Sequence, residues 1–211
     1  MAGHAEPCPR RIRGVLGGRV VVDTLGALYV WDRPEYPRYA FPIGDVTLEG
    51  MPREELDGFG TMVAVPWDAV DAWFEEEERI HVHPRNPYAR VDALRSSRHV
   101  RVERDGMLLA ETACPVVVFE TGLPPRTYVD RGAVRWERLE ASDTQTACPY
   151  KGVTSEYWSL RHGDRAIPDI AWSYAFPTTA LAPIAGLVCF FDERVDVWVD
   201  GVAQPRPTTG M

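Results

Sequence analysis

Two stretches of this chain align with each other without a gap, residues 10–46 and residues 98–134. Gly18 falls on Gly106, an offset of 88 positions. At that offset Arg13 meets Arg101, Thr24 meets Thr112, Val30 meets Val118, Pro37-Arg38 meets Pro125-Arg126 and Val46 meets Val134. Where identity is lost, chemical type is kept: Asp23 with Glu111, Trp31 with Phe119, Asp32 with Glu120. An internal repeat restricts the fold more than any single motif, because both copies must settle into one supersecondary plan.

Each copy reads as β structure. Ile12, Val20 to Val22 and Leu28 to Trp31 are β-branched or aromatic runs, separated by the turn signals Gly17-Gly18 and Leu25-Gly26. In the second copy Asp105-Gly106 predicts a tight hairpin, since both residues tolerate positive φ. The copies also share an ending: Val70-Asp71-Ala72-Trp73-Phe74 resembles Val195-Asp196-Val197-Trp198-Val199, and the alternation of Val195, Val197 and Val199 predicts a closing strand with one buried face. From Val46 to Val70 is 24 positions and from Val134 to Val195 is 61, so the second copy carries about 37 residues that the first lacks. In place of that insert the first copy has Met51 to Gly58, polar and loop-like.

The expected fold is therefore mainly β, two small antiparallel β domains in tandem, each a small sheet or partly closed barrel. A shortened N-terminal repeat spans 10–80 and a complete C-terminal domain spans 98–201. Between them 81–97 reads as a linker, with the acidic run Glu75 to Glu78 before it and Pro84, Pro87 and Arg95-Ser96-Ser97 within it. Residues 202–211 read as a flexible tail.

The net charge of -8 supplies no basic face for a nucleic-acid backbone or an anionic membrane. No apolar stretch approaches the roughly 18 residues of a membrane helix, and Met1 to Pro9 shows no secretory signal. A cytoplasmic location with reduced thiols follows as the expectation. The four cysteines, Cys8, Cys114, Cys148 and Cys189, form no C-x-x-C pair, and His81 and His83 have no third ligand nearby, so no metal and no cofactor are expected.

Chemistry concentrates in the insert. Cys148 to Tyr174 holds a thiol, a lysine, two tryptophans and three tyrosines. Cys148 is a candidate nucleophile whose thiolate Lys151, three residues on, would stabilise. Lys151 could itself bind a carboxylate or phosphate, or form an imine. His162 and His99 are the candidate bases, and His162 sits in an expected turn, Arg161 to Asp164. Asp143, Glu156 and Asp169 show no spacing diagnostic of acid–base work. Tyr150, Trp158, Trp172 and Tyr174, with Tyr157, are the densest aromatic group in the chain and are either the wall of a ligand pocket or the filling of a small β core. Trp172 and Tyr174 share a strand face, and Tyr157 and Ser159 face away from Trp158 if that segment is extended. Arg38, Arg101 and Arg126 recur near strand ends, which favours structural ion pairs over chemistry.

The second copy closely resembles the family catalogued as domain of unknown function 427. The residues that carry the likeness are Cys148-Pro149-Tyr150-Lys151-Gly152, Tyr157-Trp158-Ser159, Ala171-Trp172-Ser173-Tyr174, Ile184-Ala185-Gly186 and Arg194-Val195-Asp196, within Arg98 to Gly201. The first copy looks like a shortened member. The resemblance implies a small β domain of the β-tent group, whose members share a pocket on one sheet face and usually carry zinc on paired cysteines. The cysteine pairs are missing here, so zinc does not carry over. One label of the family mentions nucleotidyl transfer, but there is no Gly-rich phosphate loop and no paired-carboxylate motif.

Three readings follow. The first is a small-molecule binding protein, with Tyr150, Lys151, Trp158, Trp172 and Tyr174 around a cyclic or cationic ligand. The second is an enzyme of transferase or hydrolase type using Cys148 or Lys151. The third is a scaffold or homodimer-forming protein in which the first copy covers part of the second.

Overall fold

The computed structural model describes residues 4–47, 50–56, 58, 60–162 and 165–208. The chain divides into two units, Met1–Tyr88 and Ala89–Met211. Both are mainly β, with antiparallel strands joined by turns and short 3-10 segments. Among the described residues no helix is long and apolar enough to cross a membrane.

The first unit has a five-stranded sheet, in the order His4–Pro7, Leu28–Trp31, Arg38–Pro42, Met62–Ala64, Glu54–Glu55. Its four-stranded sheet runs Arg19–Thr24, Ile12–Leu16, Ala72–Glu75, Glu78–Ile80. The second unit has a seven-stranded sheet in the order Val91–Arg95, Val116–Glu120, Arg126–Val129, Val188–Phe190, Arg165–Ser173, Glu156–His162, Leu139–Ser142. A four-stranded sheet, Met107–Thr112, Val100–Arg104, Asp196–Val199, Val202–Ala203, and a small hairpin, Ala147–Cys148 with Gly152–Val153, complete it.

Local chemistry accounts for these elements. Asp105 and Gly106 have φ of 50° and 75°, the left-handed pair that turns Val100–Arg104 into Met107–Thr112 without splaying the strands. The same positions in the first unit, 88 residues earlier, are the turn Gly17-Gly18 between Ile12–Leu16 and Arg19–Thr24. Other details recur at that offset. A register shift lies between Gly14 and Val15 and between Val102 and Glu103. Isolated bridges join Val22 to Val46 and Ala110 to Val134. The hydroxyls of Thr24 and Thr112 accept from the backbone N–H groups of Gly26 and Cys114.

The closing strands are not aligned as their sequences suggest. Gly14 is paired with Trp73, whereas Val102 is paired with Val197, so the register of the second unit is slipped by one residue relative to the match of Trp73 with Trp198. A one-residue slip turns every side chain to the other face. Trp73 is buried at 2 % exposure and Trp198 faces outward at 38 %.

Three segments depart from the expected organisation. Val91–Arg95, within the stretch expected as a linker (81–97), is an edge strand paired with Val116–Glu120, because Val91 and Ala93 turn toward the core beside Val116 and Val118. Met51 to Gly58 is not wholly loop, since Glu54–Glu55 pairs with Val63 and Ala64, and Met51 and Leu56 are buried. At the start of the expected tail, Val202–Ala203 pairs with Trp198 and Val199. Gly163 and Asp164, in the turn expected after Arg161, lie outside the described residues.

The seven-stranded sheet is apolar on both faces. One face carries Leu160, Ile170 and Phe190 against Val100, Val102 and Val197 of the four-stranded sheet. The other carries Val118, Tyr128, Tyr157 and Trp172 and packs against Leu181 and Ile184 of the 3-10 segment Thr179–Ile184. Fully burying side chains of that size stabilises by about 1.5–3 kcal/mol each. The segment covers only part of that second face. The hairpin of Ala147–Cys148 and Gly152–Val153 borders the remainder, and the candidate site lies there.

Candidate functional site

The Cys148-Pro149-Tyr150-Lys151-Gly152 run is the turn of the small hairpin: Cys148 pairs with Gly152 and Ala147 with Val153. Pro149 fixes one φ of the turn. Gly152 has φ of 96°, a conformation strained for any side chain, and a Cβ there would also meet the carbonyl oxygen of Phe176 at 3.5 Å. Thr178 holds the turn from outside: its N–H donates to the Lys151 carbonyl at 3.1 Å and its hydroxyl to the Tyr150 carbonyl at 2.6 Å. The base of the hairpin is tied by Thr154, whose hydroxyl accepts from the Thr146 N–H at 2.8 Å and donates to the Thr146 carbonyl at 3.0 Å. A hairpin so anchored presents the Lys151 side chain inward, where it is only 11 % exposed.

Beneath the turn is a cavity of about 300 Å³. Its apolar wall is built by Trp172, Tyr157, Tyr174, Phe191, Val118 and Leu123. Trp172 and Phe191 have ring centroids 4.3 Å apart, and Tyr157 stacks on Trp172 at 6.4 Å. The Tyr157 hydroxyl shares a 2.9 Å hydrogen bond with Thr146 on the rim. Burial raises the Tyr157 and Tyr174 phenols above their ordinary pKa, so both stay neutral donors at physiological pH.

The polar groups are few and paired. Lys151 Nζ makes a close ion pair with Glu120 Oε2, and the Glu120 side chain is also 11 % exposed. The same Nζ donates to Cys148 Sγ at 3.8 Å. Arg126 also lines the cavity, gripped by Glu193 through two bonds of 2.8 and 2.5 Å. Asp192 stands 3.9 Å from Arg126, and burial pushes its pKa up to about 6 against the pull of that guanidinium. Burial likewise drives the Cys189 thiol well up, and Cys189 is closed off in the core. Cys148 is part-exposed at the cavity, so of these two thiols only it is open to a ligand.

Cys148, Lys151, Trp172 and Tyr174, expected at a site from sequence, line this cavity together, and so does Tyr157 of the same aromatic group. Trp158 does not join them. It is paired with Ala171, while Tyr157 is paired with Trp172, and strand alternation sends it to the opposite face. There it packs edge-on against Trp136 at 5.0 Å with Arg131 above it at 5.2 Å. A ligand held between Trp158 and Trp172 is thereby ruled out, since the sheet lies between the two rings. Tyr150 is half-buried in the hairpin turn, and among the described residues that line the cavity it is absent. No described histidine lines the cavity either. His99 pairs with Glu111 at 3.0 Å, and the side chain of His162 lies outside what is described. Asp169 is engaged by the hydroxyls of Ser142 and Thr144, and Glu156 by Arg131.

Sequence reasoning did not place Glu120 or Phe191 at the site, and it read Arg126 as an ion-pair residue, which its pair with Glu193 agrees with although the side chain also lines the cavity. One signal was available for Lys151 itself: it is the only lysine in the chain, against 22 arginines.

The fold and the site together define a small β domain with a cavity lined by four aromatic rings, several aliphatic side chains and an ion-paired hairpin. The chain belongs to the family described as domain of unknown function DUF427, which matches residues 92–201. The match begins inside the edge strand Val91–Arg95 and takes in the whole cavity. No curated protein matches the chain.

Proposed function

We propose that the second unit binds a small molecule in the cavity beneath the hairpin, with the ring of the ligand against Trp172 and Phe191 and a polar group at Lys151. The observation that carries this reading is the convergence of an aromatic wall with a few fixed polar groups in about 300 Å³, the lower end of the volume range of ligand sites. On this reading the first unit is a shortened copy of the same domain that kept the sheets and lost the hairpin. The equivalent of Glu120, Asp32, pairs there with Arg38 at 2.6 Å instead of with a lysine. The protein would act in the cytoplasm, on neither nucleic acid nor membrane.

The test is thermal stability and tryptophan fluorescence across a metabolite library. A ligand that binds only the folded state raises the melting temperature by mass action. The expected result is a hit whose effect disappears in Lys151→Ala and Trp172→Phe while both variants remain folded. A library without hits, with Trp172→Phe merely less stable, would return these rings to the role of core.

A second reading, an enzyme that uses Cys148 or Lys151, is favoured by the 3.8 Å separation of their reactive atoms.

A further inference from the structure

We propose that the cavity captures a small aldehyde covalently, with Lys151 forming the imine, Glu120 carrying the protons and Cys148 closing a second bond to the same carbon. The inference rests on the reading that the cavity is a ligand site, and it names the ligand class.

The first argument is the identity of the cation. Every other basic side chain of the Lys and Arg class in this sequence is arginine. Arginine serves the ion pairs Arg126 with Glu193, Arg38 with Asp32 and Arg131 with Glu156. Guanidinium would also hold the Glu120 carboxylate, and its planar fork would do so with two bonds. A guanidinium, however, keeps its proton and forms no C=N bond with a carbonyl, whereas a lysine ammonium can give up a proton and the freed amine then forms one. The one amine in the set lines the cavity with its nitrogen 3.8 Å from a thiol, while the arginine that shares the cavity, Arg126, is held by Glu193.

The second argument is geometry. Nζ touches Glu120 Oε2, so the ammonium proton has an acceptor in place. Sγ lies 3.8 Å from Nζ on the same rim, and the flexible lysine stem lets one carbon bridge them. The apolar wall of Trp172, Phe191 and Val118 suits an aryl or short alkyl substituent on that carbon.

The steps balance. Glu120 takes a proton from the Lys151 ammonium, and the freed amine attacks the carbonyl carbon to give a carbinolamine. Glu120 returns the proton to the hydroxyl, which leaves as water, and an iminium remains. Cys148 adds its sulfur to the iminium carbon and its thiol proton passes to Glu120. One C–N and one C–S bond form, the carbonyl oxygen departs as one water, and no oxidant or reductant is consumed.

Benzaldehyde is the probe, used on the full chain with intact-mass and peptide-mapping readouts. We expect a single adduct of one aldehyde less one water, mapped to the peptide containing Cys148 and Lys151. It should form about tenfold or more faster than on the chain unfolded in urea, as orientation of both nucleophiles would provide. Lys151→Arg, which keeps a cation opposite Glu120, should abolish it. Cys148→Ser should lose the adduct that survives without reductant but still yield a Lys151 adduct trapped by cyanoborohydride. Benzyl alcohol, of the same shape without the electrophile, separates the two claims. If benzyl alcohol and benzaldehyde both raise the melting temperature but no adduct forms at Lys151, covalent capture is overturned and the ligand site stands. An adduct that forms no faster than on the unfolded chain also overturns capture. If neither compound shifts the melting temperature and no adduct forms, both claims fall for this ligand class.

Discussion

Tyr157 and Trp158 are consecutive residues whose side chains enter different cores: Tyr157 stacks on Trp172 at the cavity, and Trp158 meets Trp136 on the far face of the same sheet. The separation gives two tryptophans of one strand pair distinct roles. Trp158→Phe should lower the unfolding free energy by about 1–2 kcal/mol through lost packing and leave ligand affinity unchanged. Trp172→Phe should weaken binding at matched stability. Denaturant unfolding and a fluorescence titration on both variants check this, and equal effects on affinity would refute the placement.

Glu120 and Lys151 are each 11 % exposed, so neither charge is well solvated without the other. Removing one partner of a buried pair strands the other, and Glu120→Gln should cost about 2–4 kcal/mol. The double variant Glu120→Gln with Lys151→Met should recover much of that loss. A double-mutant cycle in urea measures the coupling, and strictly additive losses would show that the two side chains do not depend on each other.

Asp192 gives a pH signature with a definite sign. Its folded pKa, about 6, lies above its ordinary value of 3.8. Between those values the native state binds more protons than the unfolded state, so the contribution of this group to stability falls as pH rises through that window. The cost is complete above the folded pKa. Asp192→Asn should therefore stabilise the second unit at pH 8, by about 1–2 kcal/mol once the 18 % exposure of the side chain is allowed for. It should do nothing at pH 3. Thermal melts of wild type and variant across pH 3–8 report the difference, and a variant less stable than wild type at pH 8 would contradict it.

In the first unit Trp73 lies over Gly14, where an added Cβ would stand 3.0 Å from Cζ3 of the indole. Trp73 is also stacked on Phe41, with centroids at 5.4 Å, and donates its Nε1–H to the Trp67 carbonyl at 2.9 Å, so it has little room to retreat. Gly14→Ala should destabilise this unit by about 1–3 kcal/mol, and a second change, Trp73→Phe, should relieve part of the loss. Urea unfolding of the single and double variants is the measurement.

What could be read from the sequence was local. Asp105-Gly106 announced a hairpin because both positions of the turn need left-handed backbone, and the alternation in Val195 and Val197 announced a half-buried strand. The gathering of Cys148, Lys151, Trp172 and Tyr174 at one cavity was foreshadowed by a cluster of reactive and aromatic residue types. Which face Trp158 takes was not visible, because a period of two fixes which neighbours oppose each other but not which side holds the cavity. The register of Trp73 and Trp198 was misleading for a related reason: three identical residues in a short strand do not resolve a shift of one. Glu120 and Arg126 lie more than twenty residues before the hairpin in sequence, and only strand pairing brings them under it.

The arginine-rich surface bears on how this chain can be marked by modifying enzymes. Lys151, its sole ε-amine, is buried behind a hairpin pinned by Thr178. Acyl groups, methyl groups and protein tags that are transferred to lysine find no acceptor on the folded exterior, and proteases that cleave after lysine find no bond to cut. Any such traffic requires Lys151 to be uncovered first, whether by local opening of the hairpin or by unfolding of the unit.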